Sequence, residues 1–258
     1  MPQNFVSRHL SKFFGSVGEL GLFGAQAIRE AFRPPFELGE IVNQIFEVGW
    51  RSAPLVVVSG FAFGVVVALQ TRSEMVSFGA TAMIPETVSL GIFNDMGPLL
   101  TALLVAGRVG AGIGAELAGM RVTEQIDALE ALAVNSFKYL VVTRVVACIL
   151  ALPILTLLLD FSGLLGGMAA DLFALHMSVH LFLHDAFMPM SWSEYIPPTL
   201  KTVVFGFIIG TLSSYLGYNA KQGAVGVGRA STRSVVFSSL LVILAEVVLV
   251  KSIQFLWP

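Results

Sequence analysis

Long uncharged runs alternate along the chain with short segments that hold most of the charge. Ser52 to Thr71 is uncharged between Arg51 and Arg72, and about 20 residues at a helical rise of 1.5 Å cross a hydrocarbon core about 30 Å thick. Thr87 to Gly107 repeats the pattern, interrupted only by Asp95. Val145 to Leu159 continues past Asp160 toward Ala170, with Pro153 as a candidate bend. Thr202 to Ala220 lies between Lys201 and Lys221, and Ser234 to Val250 surrounds Glu246. The pattern predicts an all-α polytopic membrane protein with five transmembrane helices, which puts the two ends of the chain on opposite sides of the membrane.

Before the first run the period changes. Phe5, Val6, Leu10, Phe13, Phe14, Val17, Leu20 and Phe23 alternate with Arg8, Lys12 and Glu19, the spacing of a helix lying in the membrane interface. Pro34-Pro35 ends it, and a second amphipathic stretch follows with Ile41, Ile45 and Val48 opposite Glu40 and Glu47. The predicted organisation is therefore an interfacial region over residues 1–50 and a five-span domain over 51–258, with an outer segment near 172–196.

Composition narrows the class. A hydrophobic fraction of 55% with 12% charged residues leaves too few polar side chains to coat a water-soluble globule of 258 residues. The net charge of −2, with Lys and Arg spread singly, carries no signal of nucleic-acid binding. A single cysteine, Cys148, excludes an intrachain disulfide and a cysteine metal cluster. The first residues lack a compact apolar core before a cleavage site, so no removable signal peptide is expected. In the five-span arrangement Arg72, Lys201 and Lys251 fall on one side and the other basic residues on the opposite side, which predicts a cytoplasmic N-terminus and an outside C-terminus. Trp50, Trp192 and Trp257 fall near predicted span ends, at headgroup level.

Small residues recur at four-residue spacing: Gly60, Gly64 and Ala68; Gly163 and Gly167; Gly206, Gly210 and Ser214. Such ridges let helix backbones approach closely in lipid, and packing within one subunit is the simpler reading than a dimer seam. The ladder doubles in the stretch from Asp95 to Leu132, where Ala106, Gly110, Gly114 and Ala118 run beside Gly107, Ala111, Ala115 and Gly119. Arg108 and Glu116 are set into it, placed to bind headgroups, each other or a partner. Gly110 to Ala115 formally fits a dinucleotide fingerprint, with Glu130 at the acidic position, but no alternating strand and helix pattern follows. After Thr123, an expected N-cap, Glu124 and Asp127 suit the start of a short helix with Ile126, Leu129 and Leu132 inward.

Gly97-Pro98 and the apolar run after it, Gly107-Arg108-Val109-Gly110, Ala115-Glu116, Met120 and Glu124-Gln125 together resemble the MlaE/YrbE family of permeases. So do Leu200-Lys201 with Val203-Val204-Phe205, and Arg229-Ala230 with Thr232-Arg233. The chain departs from the family pattern at Asn94-Asp95, where members often carry Arg-Glu, and at Asn135-Ser136, where a proline is expected. The resemblance implies the permease subunit of an ABC transporter in the bacterial inner membrane. Such a subunit moves phospholipid to a periplasmic MCE-domain carrier and so supports outer-membrane lipid asymmetry. It further implies a homodimer on ABC ATPase subunits that bind ATP and Mg, a coupling helix near 121–133, and in some systems a cytoplasmic STAS-domain protein. No GxxxxGK[ST] phosphate loop occurs in the chain, so hydrolysis is expected elsewhere and no cofactor is expected here. The alternative is a membrane-embedded lipid-modifying enzyme or scaffold with no motor.

Two groups of residues follow as candidates. An acid within a span is costly facing lipid, about 2.5–3.5 kcal/mol at the centre, so Asp95 should face a cavity or a partner. Asp95 and Lys201 can share the outer half of the bundle, as a rim that meets a lipid headgroup or as a structural ion pair. Asn94, Val67, Phe78 and Met96 join them through the resemblance. Glu246 is expected to hydrogen-bond a Ser or Thr. The resemblance makes Arg108, Glu116, Arg121, Glu124, Gln125, Asp127 and Glu130 the candidates for ATPase coupling. His176, His180 and His184 share one face if helical, and a polar interfacial stripe explains them more simply than a metal site.

Overall fold

The computed structural model describes residues 3–175, 177–188, 191–220 and 223–256. His176, Lys221 and Trp257 lie outside them. Every regular element among the described residues is helical. Five stretches are long and apolar enough to cross a membrane, at Leu38–Ser77, Thr81–Val122, Phe137–Phe173, Tyr195–Tyr218 and Gly223–Ile253. The predicted number and order of spans hold, but the helices outrun the uncharged runs at both ends, because flanking charges stay helical where they find partners.

The first helix, α1 (Gln3–Ala31), stops at the Pro34-Pro35 break, and α2 (Leu38–Ile45) runs through a π-helical turn at Phe46–Trp50 into α3 (Ala53–Ser77). From Phe23 onward α1 packs on the bundle: Ala27 is buried with Val141 and Val145, and Phe23 meets Phe137 edge-on at 5.0 Å. Tyr215 donates to Glu19 Oε2 at 2.8 Å. This helix is therefore seated against the bundle. Trp50 is exposed and stacked on Phe46 at the start of the first span.

The second span is assembled from α4 (Ile84–Gly91), α5 (Gly97–Val105) and α6 (Ala111–Val122), joined by π-helical turns at Ile92–Met96 and Ala106–Gly110. A short helix, α7 (Gln125–Ala131), then lies across its end. Another π-helical turn, Phe137–Val142, leads into α8 (Thr143–Leu175), which continues as helix through Pro153. Next come α9 (Val179–Phe187), α10 (Trp192–Tyr218) and α11 (Gly223–Leu256). The most enclosed span is α8, held between α3 and α10, while α11 packs on α10 and α6 and leaves most of its surface outward.

The small-residue ridges are the contact faces of this bundle. A side chain on Gly64 would overlap the Gly163 carbonyl, and one on Gly206 would come within 2.6 Å of the Cys148 carbonyl. Backbones at that separation gain dispersion and Cα–H···O contacts that larger residues would forbid. Of the doubled ladder, Ala106, Gly110, Gly114 and Ala118 are buried, with Gly110 and Gly114 facing Ser213 and Ser234. In the other stripe Gly107 is exposed and Ala111, Ala115 and Gly119 are half-buried.

Candidate functional site

Four of the polar and charged residues inside the spans, Asn94, Asp95, Lys201 and Glu246, gather at one node in the half of the bundle away from α7. Lys201, on α10, has a side chain 1% exposed and directs its ammonium at three acceptors. These are Glu246 Oε1 at 2.7 Å, the Asn94 carbonyl at 2.8 Å and Asp95 Oδ1 at 3.4 Å. An ammonium has three donors, so this one is fully used. Glu246 comes from α11, and Asn94 and Asp95 from the π-helical turn of the second span. Local chemistry explains the carbonyl: Pro98 has no N–H to return to the residue four before it, so the Asn94 oxygen loses its regular helical donor. The sequence places an ammonium there instead.

Asn94, Asp95 and Lys201 therefore come together as expected, and as an ion pair. The partner expected for Glu246 is corrected: it pairs with Lys201 and not with a hydroxyl, because a buried ammonium needs a buried counter-charge. Glu246 Oε2 and both oxygens of Asp160, on α8, are buried without a hydrogen-bond partner among the described residues. Asp160 abuts Gly97, where a side chain would overlap Asp160 Oδ1, and Lys201 lies near enough to act on it electrostatically. Of the apolar candidates, Met96 is exposed beside Asp95, and Phe78 is exposed just past the end of α3. Val67 packs instead against Ala68, Ile84, Val88 and Ile92. The signal missed in the sequence was the sign of the charges: Lys201 and Glu246 are lone opposite charges at matching depth.

At the other end of the second span the candidate coupling residues divide. Arg108 donates to Ser52 Oγ at 2.6 Å and to the Glu47 carbonyl at 3.3 Å, fixing the start of α3. Glu116 Oε1 accepts from Arg144 at 2.8 Å, and Arg144, 3% exposed, also donates to the Leu140 carbonyl. Both candidates are thus committed to other spans of the same chain and not to each other. An open groove of about 500 Å³ lies beside them, lined by Gln44, Glu47, Arg51, Gly112 and their own side chains.

Glu124, Gln125 and Asp127 lie on the exposed side of the turn into α7, with Arg121 bonded to Asp127 at 2.7 Å. Thr123 does not cap α7 as expected. Its hydroxyl donates back to the Gly119 carbonyl at 2.9 Å, closing α6, and the reversal is made by Glu124 with φ of 59°. A hydroxyl at such a junction serves whichever helix end lies in reach. The short helix is seated by Ile126, wholly buried, while Leu132 is 75% exposed and not part of an inner face. Ser136 donates to Glu130 Oε1 at 2.6 Å, and Tyr218 reaches the same oxygen at 3.3 Å, tying α7 to the end of α10. Ala133, at φ of 59°, ends it in a Schellman turn, with Val134 N–H on the Leu129 carbonyl at 3.1 Å.

On α9, His180 and His184 stack with ring centroids 6.5 Å apart on an exposed face, and His184 meets Asp185 at 3.0 Å. Among the described residues no group of His, Cys, Asp and Glu is arranged to hold a metal.

The family model described as Permease MlaE matches residues 41–251, from α2 to the last turns of α11. A probable ABC transporter permease protein of Rickettsia typhi is 41% identical over 243 residues, covering 94% of both chains. A probable ABC transporter permease protein of Synechocystis is 37% identical over 93% of this chain and 92% of its own. The intermembrane phospholipid transport system permease protein MlaE of Haemophilus influenzae is 30% identical over 94% of this chain and 95% of its own. With the node, the junction at α7 and nearly all of the five spans inside the matched residues, the chain belongs to the MlaE family of ABC transporter permeases.

Proposed function

We propose that this permease moves phospholipid between the bacterial inner membrane and a periplasmic MCE-domain carrier. It works as a homodimer driven by separate ABC ATPase subunits that bind ATP and Mg. The observation that carries the reading is similarity along nearly the whole chain to a relative named for intermembrane phospholipid transport. The sequence supports a separate motor, since it holds no phosphate loop. In this reading α7 is the coupling helix, offering Arg121, Glu124, Gln125 and Asp127 to the ATPase, while Ile126 and Glu130 root it in the bundle. Arg108 and Glu116 act behind it by holding the spans together. The N-terminus is cytoplasmic and the C-terminus periplasmic, and a STAS-domain protein is a further cytoplasmic partner in some such systems.

The node of Asn94, Asp95, Lys201 and Glu246, with Met96 beside it, is the headgroup site. Phe78, exposed past the end of α3, offers an apolar surface to the acyl chains, while Val67 acts only by packing in the bundle. Co-purification of the tagged chain, followed by reconstitution in liposomes with fluorescent phospholipid, tests the whole. ATP-dependent transfer to added MCE-domain carrier, abolished when the ATPase is left out, is the expected result. Lipid turnover by the isolated chain without nucleotide would overturn it in favour of a membrane enzyme.

A further inference from the structure

Resting on that reading of the site, we infer that the node recognises the cationic amine of a zwitterionic phospholipid headgroup and not its phosphate. A phosphate needs a free donor, and the ammonium of Lys201 has none: its three hydrogens point at Glu246, Asn94 and Asp95. It is also sealed, at 1% side-chain exposure against 65% for Asp95. The charged group that the node presents outward is therefore an acceptor. Asp95 spends one oxygen loosely on Lys201 at 3.4 Å, and Oδ2 has no partner among the described residues.

The charge behind Asp95 has the same sign. One ammonium faces two carboxylates, Asp95 and Glu246, so the node carries more carboxylates than cations. Asp160 is fully buried with both oxygens unpartnered, directed at Gly97 two residues from Asp95. The wider surroundings agree. Among the described residues in the half of the bundle away from α7 the Lys and Arg residues are Arg72, Lys201 and Lys251, while Glu74, Glu86, Asp171 and Asp185 add to the node's own acids. A field of that sign attracts amines and repels anionic headgroups.

Headgroup competition tests this in the complete permease–ATPase complex, incorporated into nanodiscs of equal phosphatidylethanolamine and phosphatidylglycerol. Lipid bound to the permease is captured with photoactivatable analogues of each and its headgroup ratio measured. An exposed charge pair in water at about 4 Å corresponds to about a fivefold preference, so the wild type should be enriched about that far in phosphatidylethanolamine. Asp95→Asn should bring the ratio close to one, and Asp95→Arg should invert it. A wild-type ratio equal to the bulk lipid, or a preference unmoved in both variants, overturns the amine assignment while leaving lipid transport standing. Capture of neither lipid removes the headgroup site itself and the inference with it.

Discussion

Deleting the Lys201 ammonium should cost the fold more than any single apolar truncation near it, and deleting its partner as well should restore much of the loss. Lys201→Met leaves Glu246 inside the bundle with no counter-charge, its second oxygen already lacking a partner. Stranding one member of a buried pair costs about 3–5 kcal/mol, whereas replacing both with apolar residues of similar size is often neutral or stabilising. The double variant Lys201→Met, Glu246→Leu should therefore be more stable than Lys201→Met by about 2 kcal/mol or more. The assay is equilibrium unfolding of the permease in mixed dodecyl maltoside and sodium dodecyl sulfate micelles, followed by tryptophan fluorescence, as a double-mutant cycle. Single effects that add to the double within about 0.5 kcal/mol would refute the reasoning, since uncoupled residues behave so. Charge reversal, Lys201→Glu, looks like a transport experiment from sequence alone. Its burial makes it a stability experiment, with another carboxylate set against Glu246 and Asp160.

Gly64→Ala should lower the thermal midpoint of the detergent-solubilised permease by several degrees, because the new methyl overlaps the Gly163 carbonyl and backbone has no rotamer by which to yield. Gly91→Ala, in open space, should leave that midpoint in place; equal effects would remove the close α3–α8 approach as its cause. Ile126→Ala empties the seat of α7, a loss of about 2–5 kcal/mol for a buried isoleucine. In the reconstituted complex it should reduce lipid moved per ATP hydrolysed while the ATPase still binds. Unchanged coupling would show that α7 does not transmit force.

The spans were legible because an apolar run of membrane length has few other uses in a chain so poor in charge. Their ends were not, because hydropathy treats a charge as a boundary. Arg108 and Glu116 lie well inside a continuous helix, each answered by a partner from a residue distant in sequence, Ser52 and Arg144. The small-residue ridges were readable as packing, and Gly64 against Gly163 is that packing, but spacing alone could not say which ridge meets which. Local preference misled at Thr123, where the same hydroxyl is competent to start one helix or to finish another. Of the candidate lipid site, the Asp95–Lys201 meeting was foreseeable from depth and sign. The engagement of Glu246 was open to the same logic, while the burial of Lys201 depends on how α10 and α11 pack.

One regularity of the backbone joins the two ends of the molecule. Each described π-helical turn carries a charged residue: Glu47 in the first, Asp95 in the second, Arg108 in the third and Lys138 in the fourth. An extra residue in a turn shifts the phase of everything around it, so a side chain that would face lipid in a regular helix can be brought round to a protein partner. Each of these charges has one. Glu47 pairs with Arg51 at 2.7 Å, Asp95 meets Lys201, Arg108 reaches Ser52, and the buried Lys138 donates to the Arg33 carbonyl beside the Phe36 ring. Between lipid-solvated helices the hydrophobic effect supplies no net attraction, so the ties that join two spans, those of Asp95 and Arg108, help decide how the spans sit. Both fall on the second span, one at the node and one near the α7 end, with Glu116 and Arg144 beyond. Under the proposed coupling, force delivered at α7 would meet the Glu116 tie first, the Arg108 tie next and the ion node last. The intervening π-helical turns, with their weaker hydrogen-bond geometry, are the places where that helix would bend in passing it on.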